Sequence, residues 1–154
     1  NWGRFPTLDS TNGFDNYLLR FQTAFNVFNK QAQFGKEQFE KGHFDKKQLP
    51  QRILVLGSNE FVWLPFLLAE WLETQTKNST VNFSALTRSP IALGGAITTM
   101  LSFSDNYGLG MTNFAYNVEP SDWDLIVLCV ETSADSVDDM WQSLDNVLVV
   151  SPTL

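Results

Sequence analysis

The sequence predicts an α/β fold: a Rossmann-like three-layer sandwich with a mostly parallel sheet and an N-terminal helical extension. Short apolar runs alternate with helix-length amphipathic segments after Pro50, with short loops between them, which is typical of a parallel sheet. The residues that follow Asp124, as far as Val130, are all apolar, as in a strand covered on both faces. A single long helical pattern stands before this region. We therefore expect an aromatic-rich helical and basic extension at 1–50 and an α/β domain at 51–154.

Composition agrees with a globular domain. The 154 residues are 44% hydrophobic and 18% charged, which argues against wholesale disorder. The 13 Phe and 5 Trp predict a dense core or a partner surface. The single cysteine, Cys129, excludes an internal disulfide, and no apolar run approaches the roughly 18 residues of a membrane span. We expect a cytoplasmic protein that does not enter a membrane.

Charge divides the chain at the same place. Residues 1–52 carry eight Lys or Arg against five Asp or Glu, whereas residues 53–154 carry two against twelve. An acidic body repels a nucleic-acid backbone, so this part is not expected to bind DNA or RNA. Its two cations, Lys77 and Arg88, stand out for the same reason.

The first predicted element is a helix from about Asp15 to Ala32. Leu18, Phe21, Phe25 and Phe28 recur on one face of it. We expect this stripe to pack on the core.

Three five-residue pseudo-repeats follow, from Gln33 to Lys47. Their period matches neither helix nor strand, and three copies are too few for a solenoid. We interpret the segment as a basic connection, with His43 as a solvated loop residue.

A strand, a helix and a second strand are predicted next. The apolar run 52–57 ends in glycine, the segment 61–72 has apolar residues spaced by three and four, and 80–86 shows partial alternation. Pro65 inside the helical segment indicates a late start or a kink.

The middle of the chain gives weaker patterns. Ile91 to Leu101 reads as a helix weakened by its two adjacent glycines. The glycine-rich segment 106–110 predicts a turn, and the strand expected after it runs from Asn113 to Val118.

The last elements complete the sheet. After the buried strand at 124–130, Asp135 is expected to cap a helix with Val137, Met140, Trp141 and Leu144 on one side. Residues 147–150 form the closing strand.

Four motifs between Arg52 and Val130 carry a family resemblance. They are Val55-Leu-Gly-Ser-Asn-Glu-Phe61, Leu64-Pro-Phe-Leu-Leu-Ala-Glu70, Thr87-Arg-Ser-Pro-Ile91 and Asn113-Phe-Ala-Tyr-Asn-Val118. In them the chain resembles the TRSP domain family, named for the tetrapeptide that begins at Thr87. The resemblance implies a cytoplasmic domain C-terminal to a phosphoribosyltransferase-like domain, in bacterial operons for tellurite resistance and stress response. It also implies that the transferase chemistry, in synthesis of a nucleoside-like compound, belongs to the upstream domain.

The candidate site lies at the carboxyl ends of the strands, where open α/β sheets bind ligands. The loop 57–60 could present backbone N–H groups to an anion, and the guanidinium of Arg88 suits phosphate or carboxylate. Tyr116 and Asn117 could orient a ribose or a base. The predicted ligand-binding residues are Gly57, Ser58, Asn59, Glu60, Thr87, Arg88, Ser89, Tyr116 and Asn117.

Structural alternatives stay open for each of these. Ser58 or Asn59 could simply cap the following helix, Arg88 could form an ion pair with Glu60 or another acid, and Tyr116 could belong to the core. Nothing in the sequence specifies a reaction. The lone histidine and lone cysteine give no zinc set and no catalytic triad, so we expect neither a metal nor a cofactor.

The leading functional hypothesis is an accessory domain that binds a phosphate-bearing or nucleotide-like ligand beside the upstream transferase domain. The alternative is a non-catalytic interaction module. In that case the aromatic helix and the basic repeats dock the transferase domain or another subunit. Catalysis by this domain alone is not expected, and self-association as a homodimer stays open.

Overall fold

The computed structural model describes residues 8–32 and 44–152. Residues 33–43 of the predicted basic repeats, with His43, lie outside these residues. Within the described residues the helices are α1 (Leu8–Ala32), α2 (Trp63–Gln75) and α3 (Asp139–Gln142). The strands are β1 (Arg52–Ser58), β2 (Thr80–Leu86), β3 (Met100–Ser104), β4 (Thr112–Tyr116), β5 (Leu125–Cys129) and β6 (Val147–Val150).

Four of these strands form a parallel sheet in the order β2-β1-β5-β6. This confirms the predicted α/β class and the mostly parallel sheet. From β1 the chain moves outward to β2 on one side, and from β5 it moves outward to β6 on the other. The strand order therefore reverses between β1 and β5, and a crevice is expected beyond their carboxyl ends.

Helices α1 and α2 cover one face of the sheet. Tyr17, Phe21 and Phe25 of α1 are buried in one cluster with alternate residues of the strands and the apolar side of α2. The Tyr17 hydroxyl donates to the carbonyls of Val130 (3.1 Å) and Val150 (2.9 Å). This confirms that the aromatic stripe packs on the core. The domain division at residue 50 stays a prediction.

The other face is covered by different elements. Strands β3 and β4 form an antiparallel hairpin, and its Phe103 packs edge-on against Trp141 of α3 at 5.1 Å. Together they bury the opposite alternate residues of the sheet, among them Leu54 and Ile126. The third layer is thus a hairpin and a single-turn helix, where the sequence predicted longer helices.

The prediction of a helix from Ile91 to Leu101 is wrong. Gly94 and Gly95 have positive φ, and Gly94 exchanges two backbone hydrogen bonds with Ile97 (2.8 and 3.0 Å) in a tight turn. The chain then enters β3. The two glycines, tolerated but costly in a helix, are required by this turn.

Three element ends also differ from the prediction. Helix α1 begins at Leu8 and not at Asp15, and α2 begins at Trp63. Pro65 therefore lies in the first turn of α2. Backbone N–H groups in the first turn have no intrahelical acceptor, so a proline there breaks no helical hydrogen bond and causes no kink. Asp138, not Asp135, caps α3. Of the helices in the described part of the chain, none has the length and apolarity to cross a membrane.

Candidate ligand-binding site

The first wall of the site is the turn between β1 and α2. Ser58 and Phe61 exchange backbone hydrogen bonds of 3.1 and 2.9 Å, and Asn59 between them has a left-handed φ of 55°. A Cβ on Gly57 would lie 2.9 Å from the Phe61 carbonyl oxygen, so the turn closes only over glycine. Gly57 therefore shapes this wall and does not itself line the cleft.

The second wall is the loop after β2, and backbone bonds fix it on both sides. The Asn59 N–H donates to the carbonyl of Leu86 (3.1 Å), which ties this loop to the first wall. Thr87 and Phe114 exchange bonds of 3.0 and 2.7 Å, which tie it to β4. The Ser89 N–H donates to Thr87 Oγ1 (3.1 Å). The Thr87–Pro90 loop is therefore held in a defined position.

An open cleft of about 640 Å³ lies between these walls. It brings together the two predicted loops with a third segment, the glycine-rich turn between β3 and β4. The described residues that line it are Asn59, Glu60, Ala85, Leu86, Thr87, Arg88, Ser89, Tyr107 and Leu109.

The Arg88 side chain is held in place but keeps a hydrogen-bond donor without a partner. Its guanidinium carbon lies 5.5 Å from the centre of the Tyr107 ring, a cation–π arrangement, and its Nε is buried without a hydrogen-bond partner. The alternative of an ion pair between Arg88 and Glu60 stays a prediction. Lys77 precedes β2 and so lies at the opposite edge of the sheet.

The glycine-rich turn bridges to the loop after β5. The Tyr107 hydroxyl donates to Glu131 Oε1 (2.6 Å), and Asn106 Nδ2 donates to Thr132 Oγ1 (2.7 Å). Tyr107 thus connects Arg88, on the β2 side, with the β5 side of the crevice where the strand order reverses. Sequence reasoning missed Tyr107 and Glu131. The position of Glu131 directly after a buried strand was the available signal.

Asn59 and Ser58 carry further unused bonding capacity. Both amide atoms of Asn59 and the Oγ of Ser58 are buried and lack hydrogen-bond partners. The expectation that one of them caps α2 is wrong, because Val62 occupies the N-cap position and makes no side-chain bond there. The amide of Asn59, on the cleft wall, can therefore both donate to and accept from a ligand.

Tyr116 and Asn117 lie outside the cleft. The Tyr116 hydroxyl donates to the carbonyl of Ser89 (2.7 Å) and accepts from the Ile91 N–H (2.6 Å). Asn117 donates to the Ala96 carbonyl (2.8 Å) and accepts from the Thr98 N–H (2.9 Å). Tyr116 thus supports the Thr87–Pro90 loop from outside, and Asn117 supports the segment before β3.

The described residues contain no group of three or more His, Cys, Asp or Glu side chains that could hold a metal ion. The buried thiol of Cys129 belongs to the core beneath the sheet, where burial raises its pKa to about 12. The chemistry of the cleft is therefore that of one cation, one amide, three hydroxyl-bearing side chains and one carboxylate, Glu60.

Comparison with known families matches this chain over residues 21–148 to a family described as the TRSP domain C-terminal to PRTase_2. The match includes both walls of the cleft, the hairpin and the last 12 of the 25 residues of α1. No curated protein and no solved structure matches the chain.

Proposed function

The chain belongs to the TRSP domain family, and we propose that it is an accessory domain that binds a phosphate-bearing or nucleotide-like ligand in the cleft between Asn59 and Arg88. An upstream phosphoribosyltransferase-like domain would carry out the chemistry. The family description, which places the domain C-terminal to PRTase_2, supports an accessory role.

The observation that carries the proposal is the combination of unpartnered groups on facing walls. Burying polar groups without partners costs free energy, and a guanidinium is the group most in need of an anion. Arg88 Nε and both amide atoms of Asn59 are in this condition in one cleft. A ligand that offers an anionic group beside a hydroxyl pair or a base edge would satisfy all three.

The geometry favours binding over catalysis. The Tyr107 ring holds the guanidinium plane, and the two walls are joined by the Asn59–Leu86 backbone bond. The described lining offers one carboxylate, and no imidazole or thiol, for proton transfer. We therefore propose that the domain retains or presents a ligand and does not transform it.

A thermal-shift screen tests this proposal. Inorganic phosphate, ribose 5-phosphate, phosphoribosyl pyrophosphate and nucleotides would be added in EDTA to the wild type and to Arg88→Ala, Arg88→Lys and Lys77→Ala. A ligand at a hundred times its dissociation constant stabilises by about 2.7 kcal/mol. We expect a shift that Arg88→Ala abolishes, Arg88→Lys reduces because lysine lacks the planar fork, and Lys77→Ala leaves intact.

Two results would contradict the proposal. One is the absence of a shift with every compound in the wild type. The other is an equal shift in Arg88→Ala, which would place the anion elsewhere.

One observation favours an interaction module as the second candidate. Phe21 and Phe25 are buried in the core and cannot dock a partner, but a different aromatic group lies at the β2 edge of the sheet. Phe66 is 42% exposed. Its ring centre lies 6.0 Å from that of Trp63, in a stacked arrangement, and 5.8 Å from that of Phe83, edge-on. The test is co-purification of the upstream domain with this chain. Loss of co-purification in Phe66→Ser, but not in Leu19→Ser at an exposed position of α1, would support this candidate. Equal retention by both variants would exclude this surface.

A further inference from the structure

The inner face of the β3–β4 hairpin contains a buried carboxylate with an unused oxygen. Asp105 follows β3 directly and is 6% exposed. Its Oδ1 accepts from the Leu109 N–H (3.2 Å), while its Oδ2 is buried without a hydrogen-bond partner. Leu109 and Tyr107 of the same turn line the cleft, so Asp105 is hydrogen-bonded to a residue of the cleft wall.

A second unpartnered oxygen lies on the same face of the hairpin. Asn113 is opposite Phe103 in the β3–β4 register, so Asp105 is its diagonal neighbour, two residues farther along β3. Asn113 is 1% exposed, and its Oδ1 is buried without a partner. Alternation along β1 puts Ser58, whose Oγ also lacks a partner, on the sheet face that this hairpin covers.

Two buried acceptor oxygens cannot satisfy each other, because neither donates a hydrogen. A carboxylate oxygen and an amide oxygen are, however, the ligands of a hard cation. Magnesium in particular takes one or two carboxylates and completes its shell with waters and the phosphates of a bound substrate.

We infer that Asp105 and Asn113 hold a divalent cation of the magnesium type, which the phosphate-bearing ligand of the cleft also coordinates. The inference rests on the proposed function for its second half only. The described residues contain no group of three or more His, Cys, Asp or Glu side chains that could hold a metal ion. The inferred site is of a different kind, because it has a single carboxylate and otherwise neutral oxygens.

Manganese binding, measured by the loss of the free-ion electron paramagnetic resonance signal, tests the first half without any anion. We expect the wild type to bind Mn²⁺ and Asp105→Asn, which is nearly isosteric, to bind at least about tenfold more weakly. The matched control is Asp122→Asn, an exposed acid that precedes β5 and so lies at the opposite edge of the sheet.

A gain-of-binding variant protects the test from a folding defect in Asp105→Asn. Asn113→Asp adds a second carboxylate beside the first and should tighten Mn²⁺ binding, whereas without a cation site it should only lower stability. No Mn²⁺ binding by the wild type, or equal binding by Asp105→Asn and the wild type, would overturn the inference. A hydrogen-bonded water in place of the ion would give that first result.

The ligand arm separates the two proposals. Phosphoribosyl pyrophosphate should bind the wild type more tightly with Mg²⁺ than in EDTA, and Asp105→Asn should lose this difference. If the wild type does not bind Mn²⁺ but shows an Arg88-dependent thermal shift with phosphate in EDTA, the cation is rejected and the proposed function is retained. Mn²⁺ binding without any Arg88-dependent phosphate shift in EDTA would reject the ligand and retain the cation.

Discussion

Arg88 shows how a side chain can be fixed in place and still have bonding capacity for a ligand. The Tyr107 ring holds its guanidinium, while Nε stays buried without a partner. Asn59 is held similarly, through its backbone bond to Leu86, with both amide atoms unused. Such side chains lose little further freedom when a ligand binds, which favours affinity.

The turn between β1 and α2 has no room for a side chain at Gly57. Gly57→Ala would press a methyl group against the Phe61 carbonyl and Val62, so we expect a loss of about 1–3 kcal/mol in the free energy of unfolding. Gly13→Ala is the matched control, because its Cβ would meet only Leu64 at 4.0 Å in a helix, where alanine is better by about 0.5–1 kcal/mol. Urea unfolding of both variants measures this. A neutral Gly57→Ala would show that the turn relaxes freely.

The sequence predicted some site residues and could not predict others, for a physical reason. Asn59, Thr87 and Arg88 follow strands that their own apolar patterns reveal, and strand ends converge in a parallel sheet. Tyr107 reaches the site only because β3 pairs with β4 and places the intervening turn over the crevice. That pairing is nonlocal and leaves no periodic signal at Tyr107 itself.

At the scale of elements, short α3 depends on one side chain for its position. Asp138 Oδ1 accepts from the Met140 N–H (2.8 Å) and its Oδ2 from the Ser104 N–H (2.6 Å), so it caps α3 and joins it to β3. These two backbone hydrogen bonds, the Met140 bond first, lower the pKa of Asp138 below its ordinary value. The layer over the second face is thus held by polar contacts as well as by Phe103 and Trp141.

Removal of this cap should cost stability in a pH-dependent way. We expect Asp138→Ala to lower the free energy of unfolding by about 1–2 kcal/mol at pH 7. Because the folded-state pKa is lowered, the contribution of the carboxylate is present above pH 4 and is lost as pH falls through the lowered value. Chemical denaturation at pH 7 and pH 2.5 measures both, with exposed Asp139→Ala as the control. An equal loss at both pH values would contradict the assignment.

The strands with continuous apolar runs were predictable, and the hairpin was not. β1, β5 and β6 lie within one residue of their predicted ends because their burial requires an apolar sequence. β2 is mostly exposed and has the ends that its partial alternation predicted. The segment before β3 contains enough apolar residues for a helical reading, and only its glycine turn and its pairing with β4 decide against that reading. α3 was predicted too long because the helical spacing of its apolar residues continues beyond the single turn.

At the scale of the molecule, two apolar clusters on opposite faces hold one sheet, and the most deeply buried titratable groups lie in one of them. Burial raises the pKa of Cys129 from its ordinary 9.0 to about 12, and burial, followed by the neighbouring Cys129, raises that of Tyr17 well above 10.0. Both groups stay neutral in the folded chain at pH values where the unfolded chain ionises them.

Alkaline conditions should therefore weaken the fold through this cluster. Because the folded-state pKa values of these two groups are raised, their contribution to the free energy of unfolding is fully present below pH 9 and is lost as pH rises toward 12. We expect the urea midpoint to fall between pH 8 and pH 11, and to fall less steeply in Cys129→Ala, which removes one of the two groups. Parallel slopes in the two proteins would show that the thiol does not contribute.

Binding of a phosphate-bearing ligand in the cleft between Asn59 and Arg88 is tested most directly by a ¹⁵N–¹H NMR titration with ribose 5-phosphate and phosphoribosyl pyrophosphate. We expect shifts of the Arg88 Nε–H signal, the Asn59 side-chain amide and the backbone amides from Thr87 to Ser89. The signals around Thr80, at the opposite edge of the sheet, should stay in place. Shifts confined to that opposite edge, or no shifts at millimolar ligand, would contradict ligand binding in this cleft.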